Sequence, residues 1–134
     1  MAEIIHSFED LECWRVARDL RLFVSRMILP ALPNEERYRL GDQVLRAARS
    51  VTANIAEGYG RHHYLDNAKF CRNACGSCYE VLDHLIAAAD DGLITNELLL
   101  VGRQKCQMTL KVLNGYIAYL KRAASPAQTP PNSR

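Results

Sequence analysis

The amino-acid sequence predicts an all-α protein that folds as an antiparallel, up-down-up-down four-helix bundle. Apolar residues recur every three or four positions along four segments, and no segment alternates with the period of a β-strand. Prolines or glycines separate the segments, and the short connections favour antiparallel neighbours. The chain has 134 residues, enough for one domain with a sizeable core, and we assign the bundle to residues 1–122.

The first predicted helix runs from about Phe8 to Ile28. Ser7 is a suitable N-cap, and the acidic residues that follow favour the positive end of the helix dipole. Pro30 and Pro33 stop the helix, because proline cannot continue it.

The second predicted helix runs from about Asn34, a suitable N-cap, to about Glu57. Its apolar stripe includes Val51. Gly58 and Gly60 follow, and we expect them to end the helix, because glycine tolerates the left-handed C-terminal turn.

The third predicted helix runs from about Tyr64 to Asp90 and is followed by a turn at Asp91-Gly92. Its apolar positions keep a strict 3-4 spacing, which is typical of the narrow seam in helical bundles. The fourth predicted helix begins at the N-cap Thr95 and ends near Arg122.

Residues 123–134 lack apolar bulk, and we expect them to form a disordered tail. The start of the chain lacks the pattern of a signal peptide, and no apolar stretch approaches the roughly 18 residues of a membrane span. The five cysteines are an odd number without a disulfide framework. These features predict a cytoplasmic protein without a membrane partner.

More apolar surface is present than one bundle needs. The fourth predicted helix has two adjacent apolar faces, and such faces need covering, so we expect a homo-oligomer. The alternative is a wide core-facing stripe in a compact monomer. A second stripe on the first predicted helix consists of Cys13, Val16, Leu20, Phe23 and Met27.

Cys71, Cys75 and Cys78 have the spacing that radical enzymes use to bind an iron–sulfur cluster. They fall on the seam of a predicted helix, and free cysteine is often buried, so we interpret them as core residues. A di-metal site in a bundle needs Glu-x-x-His on two helices, and that spacing occurs only from Glu3 to His6. We therefore expect no metal and no cofactor.

No catalytic constellation is evident, since the sequence has neither a phosphate-binding Gly-rich loop nor a Cys–His pair with an orienting third group. We therefore expect a protein without enzymatic activity. His62 and His63 follow the glycines, and we interpret them as solvated residues of a polar turn. Contact with phosphate or metal is the alternative for these two histidines.

Arginine outnumbers lysine in the first half of the chain, and it favours bidentate contacts with phosphate. Acidic residues are interspersed, so an ordinary solvated face is the alternative. A ring of copies would repeat the same patch and raise avidity for a nucleic acid. The candidate nucleic-acid contacts are Arg15, Arg18, Arg37, Arg39, Arg46, Arg49 and Arg61.

Polar residues lie beside the apolar stripe of the second predicted helix. If buried, Asn54 and Glu57 need partners. We interpret them as a structural polar network, with Ser50 and Glu80, that fixes helix register or a subunit contact. Arg46 and Arg49 are further candidate partners, and that role would remove them from the nucleic-acid set.

The segment from Arg46 to Arg61 has the pattern Arg-x3-Ser-x3-Asn-Ile-Ala-Glu-Gly-x-Gly-Arg. It resembles the four-helix-bundle proteins encoded in intervening sequences of large-subunit ribosomal RNA genes. Further agreements are the Phe8-x2-Leu11-x2-Trp14 opening, Leu32-Pro33, and Gly76-Ser77-x2-Glu80.

This resemblance covers nearly the whole chain, up to about Arg122, and implies a ring-like homopentamer. It also implies a distant kinship with the accessory variability protein of diversity-generating retroelements, and hence a reverse-transcriptase-like protein and nucleic acid as partners. The cysteine-rich third helix and His62-His63 depart from the family pattern.

The function predicted from these observations is nucleic-acid binding, to RNA first and DNA second, by a non-enzymatic homo-oligomer. The rival hypothesis is a protein-interaction adaptor or scaffold with no nucleic-acid role. The adaptor would show binding that barely changes with salt and an exposed apolar groove.

Overall fold

The computed structural model describes residues 4–125, and within them the chain is almost entirely helical, with no β-strand. Four long helices and one short helix form an all-α helical bundle. The helices are α1 (Glu12–Phe23), α2 (Asn34–Arg37), α3 (Leu40–Gly60), α4 (Tyr64–Asp90) and α5 (Asn96–Ala124). Most of the predicted tail, from residue 126 onward, lies outside the described residues.

The first predicted helix is divided into segments of different helix type. A 3₁₀ turn, Phe8–Asp10, precedes α1, and a π-helical segment, Val24–Ile28, follows it. The predicted capping role of Ser7 is confirmed, but at the 3₁₀ turn, where its hydroxyl accepts a hydrogen bond from the backbone N–H of Glu9. Backbone N–H groups, first that of His6, hold the pKa of Asp10 below its usual value.

The prediction of one continuous helix from Asn34 to Glu57 is wrong, because the chain breaks after α2, with Arg39 outside helical geometry. Arg37 provides a physical reason. Its guanidinium donates to the backbone carbonyls of Leu29 at 3.1 Å and Pro30 at 3.3 Å, and so holds α2 against the preceding turn. Asn34 is the first residue of α2 and not its N-cap.

The two glycines expected to end this helix lie inside α3, which continues to Gly60. The left-handed backbone conformation occurs instead at His62, with φ of 59°. Gly58 is required by packing, because a Cβ built there would lie 2.7 Å from Oδ1 of Asn67 and 2.9 Å from Cβ of Phe70. The glycine therefore allows α3 and α4 to approach closely.

The predictions for the second half of the chain are confirmed more fully. Helix α4 spans the predicted residues, and Gly92 in the following turn has a positive φ of 71°. Thr95 caps α5, since its hydroxyl accepts a hydrogen bond from the backbone N–H of Leu98. These elements depend on local signals that a sequence displays directly.

Helices α1 and α4 each pack against both α3 and α5. Ser50 on α3 contacts Ser77 on α4, and Gly58 on α3 faces Asn67 on α4. Residue numbers therefore rise along α3 in the direction in which they fall along α4. The same order holds across α4 and α5, where Asn67 contacts Tyr116 and Cys78 contacts Cys106. The buried apolar side chains of all four long helices form one core cluster.

The second apolar stripe of the first predicted helix is largely used inside this core. Cys13, Leu20 and Phe23 are buried, while Met27 is exposed. The two apolar faces predicted on the fourth helix are also largely buried or packed against this core. Other apolar side chains of α5 are exposed, and they include Leu100, Val101 and Met108. Among residues 4–125, no helix is both long and apolar enough to span a membrane.

Candidate nucleic-acid interface

All seven arginines proposed to contact nucleic acid are exposed. They are distributed over α1, the α2–α3 junction, α3 and the turn before α4. Four of them contact other groups of the chain, so the seven are not equivalent.

Three arginines form exposed ion pairs. Arg15 lies 3.5 Å from the carboxylate of Asp10 and also donates to the backbone carbonyl of Glu9. The corresponding distances are 2.9 Å from Arg46 to Asp42 and 3.2 Å from Arg61 to Glu57. Exposed pairs of this kind contribute about 1 kcal/mol or less to stability, so a phosphate can compete for these guanidinium groups.

Two arginines make further contacts that hold the side chain in place. The guanidinium of Arg61 lies 4.9 Å from the centre of the Phe70 ring, which orients it at the start of α4. Arg37 directs its donors at the backbone carbonyls of Leu29 and Pro30. Arg37 therefore serves the fold, and its donors are less available to a ligand.

The side chains of Arg18, Arg39 and Arg49 form no hydrogen bond or ion pair within residues 4–125. Arg18 lies on α1 and Arg49 on α3, two helices that pack against each other. Their guanidinium groups are exposed to solvent and free to take up an anionic ligand.

Arg21 belongs to this region, although it is not among the seven candidate contacts. Its guanidinium donates to the hydroxyl of Thr52 at 3.0 Å and so joins α1 to α3. Arg18 precedes Arg21 by three residues, and Arg49 precedes Thr52 by three, so each lies about one helical turn from this contact. The sequence shows that Arg15, Arg18 and Arg21 recur every three residues, but it does not show the hydrogen bond between Arg21 and Thr52.

The proposed polar network is only partly brought together. The amide of Asn54 donates to the carbonyl and the hydroxyl of Ser50, at 2.8 and 3.0 Å. The Ser50 hydroxyl lies 2.8 Å from the hydroxyl of Ser77, which sequence reasoning did not include. This cluster of Ser50, Asn54 and Ser77, here called the serine bridge, links α3 to α4.

The two carboxylates assigned to that network lie elsewhere. Glu57 is exposed and paired with Arg61. Glu80 is exposed and lies 3.5 Å from the imidazole of His84. Neither residue makes a hydrogen bond to the serine bridge within the described range.

The cysteines of α4 lie in or at the core. Cys71 and Cys78 are fully buried, and Cys75 is half-buried. Burial raises the pKa of the Cys71 thiol, and of Cys13 on α1, to about 12. The hydrogen bond with Cys106, followed by burial, raises the pKa of Cys78 as well. These thiols stay protonated near neutral pH, and in the described part of the chain no three His, Cys, Asp or Glu residues form a metal-binding group.

Comparisons with known proteins bear on the whole arrangement. The sequence profile of the family described as 23S rRNA-intervening sequence protein matches residues 9–115. The comparison with curated proteins gave no match. The match includes the four long helices, except the end of α5, and the segment from Arg46 to Arg61 that carries the resemblance. The chain belongs to the 23S rRNA-intervening sequence protein family.

Proposed function

We propose that this protein is a non-enzymatic, cytoplasmic four-helix bundle that binds nucleic acid, RNA first, through the arginines of α1 and α3. The observation that carries the proposal is the pair Arg18 and Arg49. They are exposed on adjoining helices, one turn from the Arg21–Thr52 contact, and without a partner in the described part of the chain. A guanidinium in this state can bind a phosphate in bidentate geometry without losing an internal contact.

The charge balance favours nucleic-acid binding by a local basic surface over a general electrostatic attraction between the whole protein and a nucleic acid. The formal net charge of the chain is only +2, so the protein as a whole has little pull on a polyanion. Arg15, Arg46 and Arg61 remain candidate contacts because their exposed ion pairs are weak. Arg39 adds an exposed charge at the start of α3.

We further infer an up-down-up-down topology and assembly into a ring-like homopentamer. The topology is supported by the contacts of α3 with α4 and of α4 with α5, since residue numbers rise along one helix where they fall along the next. Family membership and the exposed face of Leu100, Val101 and Met108 on α5 support assembly. In a ring, every copy would present its arginines to the same nucleic acid, and avidity would strengthen weak single contacts.

The proposal is tested by fluorescence anisotropy with a labelled RNA hairpin and a matched pair of variants. Arg18→Gln/Arg49→Gln removes two charges from the proposed surface. Arg72→Gln/Lys111→Gln removes two exposed charges from α4 and α5, neither of which belongs to the proposed surface. We expect the first variant to weaken binding at least about tenfold and to lower the salt slope by about one per lost phosphate contact, and the control to bind like wild type. Equal losses in both variants would contradict a specific surface.

The second candidate function is a protein-interaction adaptor, which the exposed apolar face on α5 favours. A reverse-transcriptase-like protein or another protein would then bind this face. An adaptor would give no anisotropy change with RNA at low salt, and binding to its protein partner would vary little with salt. Substituting Val101 or Met108 would weaken that binding, while substituting Arg18 or Arg49 would leave it unchanged.

A further inference from the structure

A pocket of about 480 Å³ lies where α3 gives way to α4 and beside the last turns of α5. This volume is within the range of roughly 300–1,000 Å³ that small-molecule sites occupy. Its lining is rich in rings and separate from the Arg18–Arg49 surface. The ring-bearing residues are Tyr59, His62, His63, Tyr64, Tyr116 and Tyr119, here called the tyrosine pocket.

The base of the tyrosine pocket is held in place by a buried amide. The Asn67 side chain is buried, and its Nδ2 donates to the hydroxyl of Tyr116 at 3.0 Å. The Tyr116 ring stacks on that of Tyr119, with centroids 6.1 Å apart and planes 18° from parallel. Tyr119 and Tyr64 are each 50% exposed, so part of each ring is open to a ligand.

The backbone at His62 also indicates a role beyond packing. This residue adopts a left-handed conformation, with φ of 59°, which glycine adopts freely and other residues only at an energetic cost. A histidine at this position adds an imidazole to the pocket wall. The preceding residue, Arg61, is exposed and is one residue from the pocket wall in sequence, and its guanidinium contacts Glu57 and the Phe70 ring.

We propose that the tyrosine pocket receives an unpaired base of single-stranded RNA, which stacks on Tyr119 while the adjoining phosphate contacts Arg61. Single-stranded RNA is commonly recognised in this way, by stacking of splayed bases on Tyr, Phe, Trp or His rings. The hydroxyl and imidazole groups at the rim supply donors and acceptors for base edges. This inference rests on the proposed function, since it assumes a nucleic-acid ligand.

The test compares two single-stranded ligands of equal length, oligouridine and an abasic ribose-phosphate chain. Both carry the same phosphates, and only one carries bases. We expect wild-type protein to bind oligouridine at least about fivefold more tightly than the abasic chain. Tyr119→Leu should abolish this preference without changing the salt slope, and Tyr119→Phe, which keeps the ring, should retain it.

A second variant separates ligand binding from folding. His62→Gly relieves the left-handed conformation, so we expect a melting temperature at or above that of wild type together with a smaller preference for oligouridine. An unchanged preference in both His62→Gly and Tyr119→Leu would overturn the inference. So would a changed oligomer mass of Tyr119→Leu in light scattering, because the pocket would then be a subunit interface.

Failure of the inference and failure of the proposed function give different results. If the pocket takes no base, wild type binds both ligands equally, and the hairpin RNA still binds through arginine. If the proposed function fails, neither single strand nor the hairpin binds at low salt.

Discussion

Gly58 shows how one residue determines the distance between two helices. The side chain of Asn67 and Cβ of Phe70, both on α4, occupy the space that a Cβ at position 58 would need. Gly60, two residues later in the same helix, has open space around it. The two glycines therefore differ in what an added methyl group would do.

We predict that Gly58→Ala lowers the free energy of unfolding by about 1–3 kcal/mol, because the helices must separate to admit the methyl group. The matched control, Gly60→Ala, should leave stability unchanged or raise it by up to about 1 kcal/mol, since alanine favours helix. Urea unfolding of both variants at one protein concentration measures the difference. A wild-type midpoint for Gly58→Ala would contradict the close approach described here.

The buried thiols make stability depend on alkaline pH. The pKa of Cys13 and of Cys71 is raised by burial from 9.0 to about 12. Above pH 9 the unfolded chain releases these thiol protons while the folded chain retains them. The free energy of unfolding should therefore fall as pH rises from about 9 to 12, and the contribution should be fully present below pH 9.

The measurement is urea unfolding at several pH values across this range. Cys13→Ala/Cys71→Ala is the control, because it lacks both thiols and should show a shallower fall with pH. Identical slopes for the two proteins would show that other groups cause the alkaline loss.

At the scale of elements, the α3–α4 pair is joined by the serine bridge. The hydroxyls of Ser50 and Ser77 are 2.8 Å apart, and the Asn54 amide donates to Ser50. A half-buried hydrogen bond of this kind typically contributes about 1 kcal/mol. The bridge therefore favours one register of α4 along α3.

We predict a coupling free energy of about 0.5–1.5 kcal/mol between Ser50 and Ser77. A double-mutant cycle with Ser50→Ala and Ser77→Ala isolates this term from changes in helix propensity. Glu57→Ala serves as a comparison and should stay within about 0.5 kcal/mol of wild type, because Glu57 is exposed. Additive effects of the two serine substitutions would exclude a stabilising bridge.

The sequence predicted best those helices whose ends and apolar positions are marked by residues of the helix itself or of the adjoining turn. The apolar seam and the Asp91-Gly92 turn gave the span of α4, and Thr95 gave the start of α5. The break between α2 and α3 could not be predicted from the sequence, because it involves hydrogen bonds from Arg37 to backbone carbonyls eight and seven residues away. Gly58 was misinterpreted for the same reason, since its constraint comes from α4.

The candidate sites show the same division. The arginine spacing along α1 and α3 was visible in the sequence, and it directed attention to Arg18 and Arg49. The Arg21–Thr52 contact joins residues 31 positions apart, and the Asn67–Tyr116 contact joins residues 49 apart. No sequence pattern brings such residues together, so the tyrosine pocket became visible only in the folded chain.

At the scale of the whole molecule, the open apolar face on α5 is the proposed contact between copies. We predict that light scattering at micromolar concentration gives a mass near five times the chain mass of 15.1 kDa. Val101→Lys/Met108→Lys should lower that mass, because charge at a subunit contact is costly to bury. Ala53→Lys, which adds charge at an exposed position on α3, should not change it. A wild-type mass of one chain would rule out assembly.

RNA binding through an arginine surface is tested most directly by fluorescence anisotropy of the wild-type protein. The labelled ligands are a structured RNA hairpin and a DNA duplex, and each is titrated at salt concentrations from low to physiological. We predict tighter binding to the RNA and a steep linear fall of log affinity with log salt, because several phosphates are neutralised. No binding to the hairpin at low salt, or affinity that does not change with salt, would contradict the claim and assign the arginines to a solvated face.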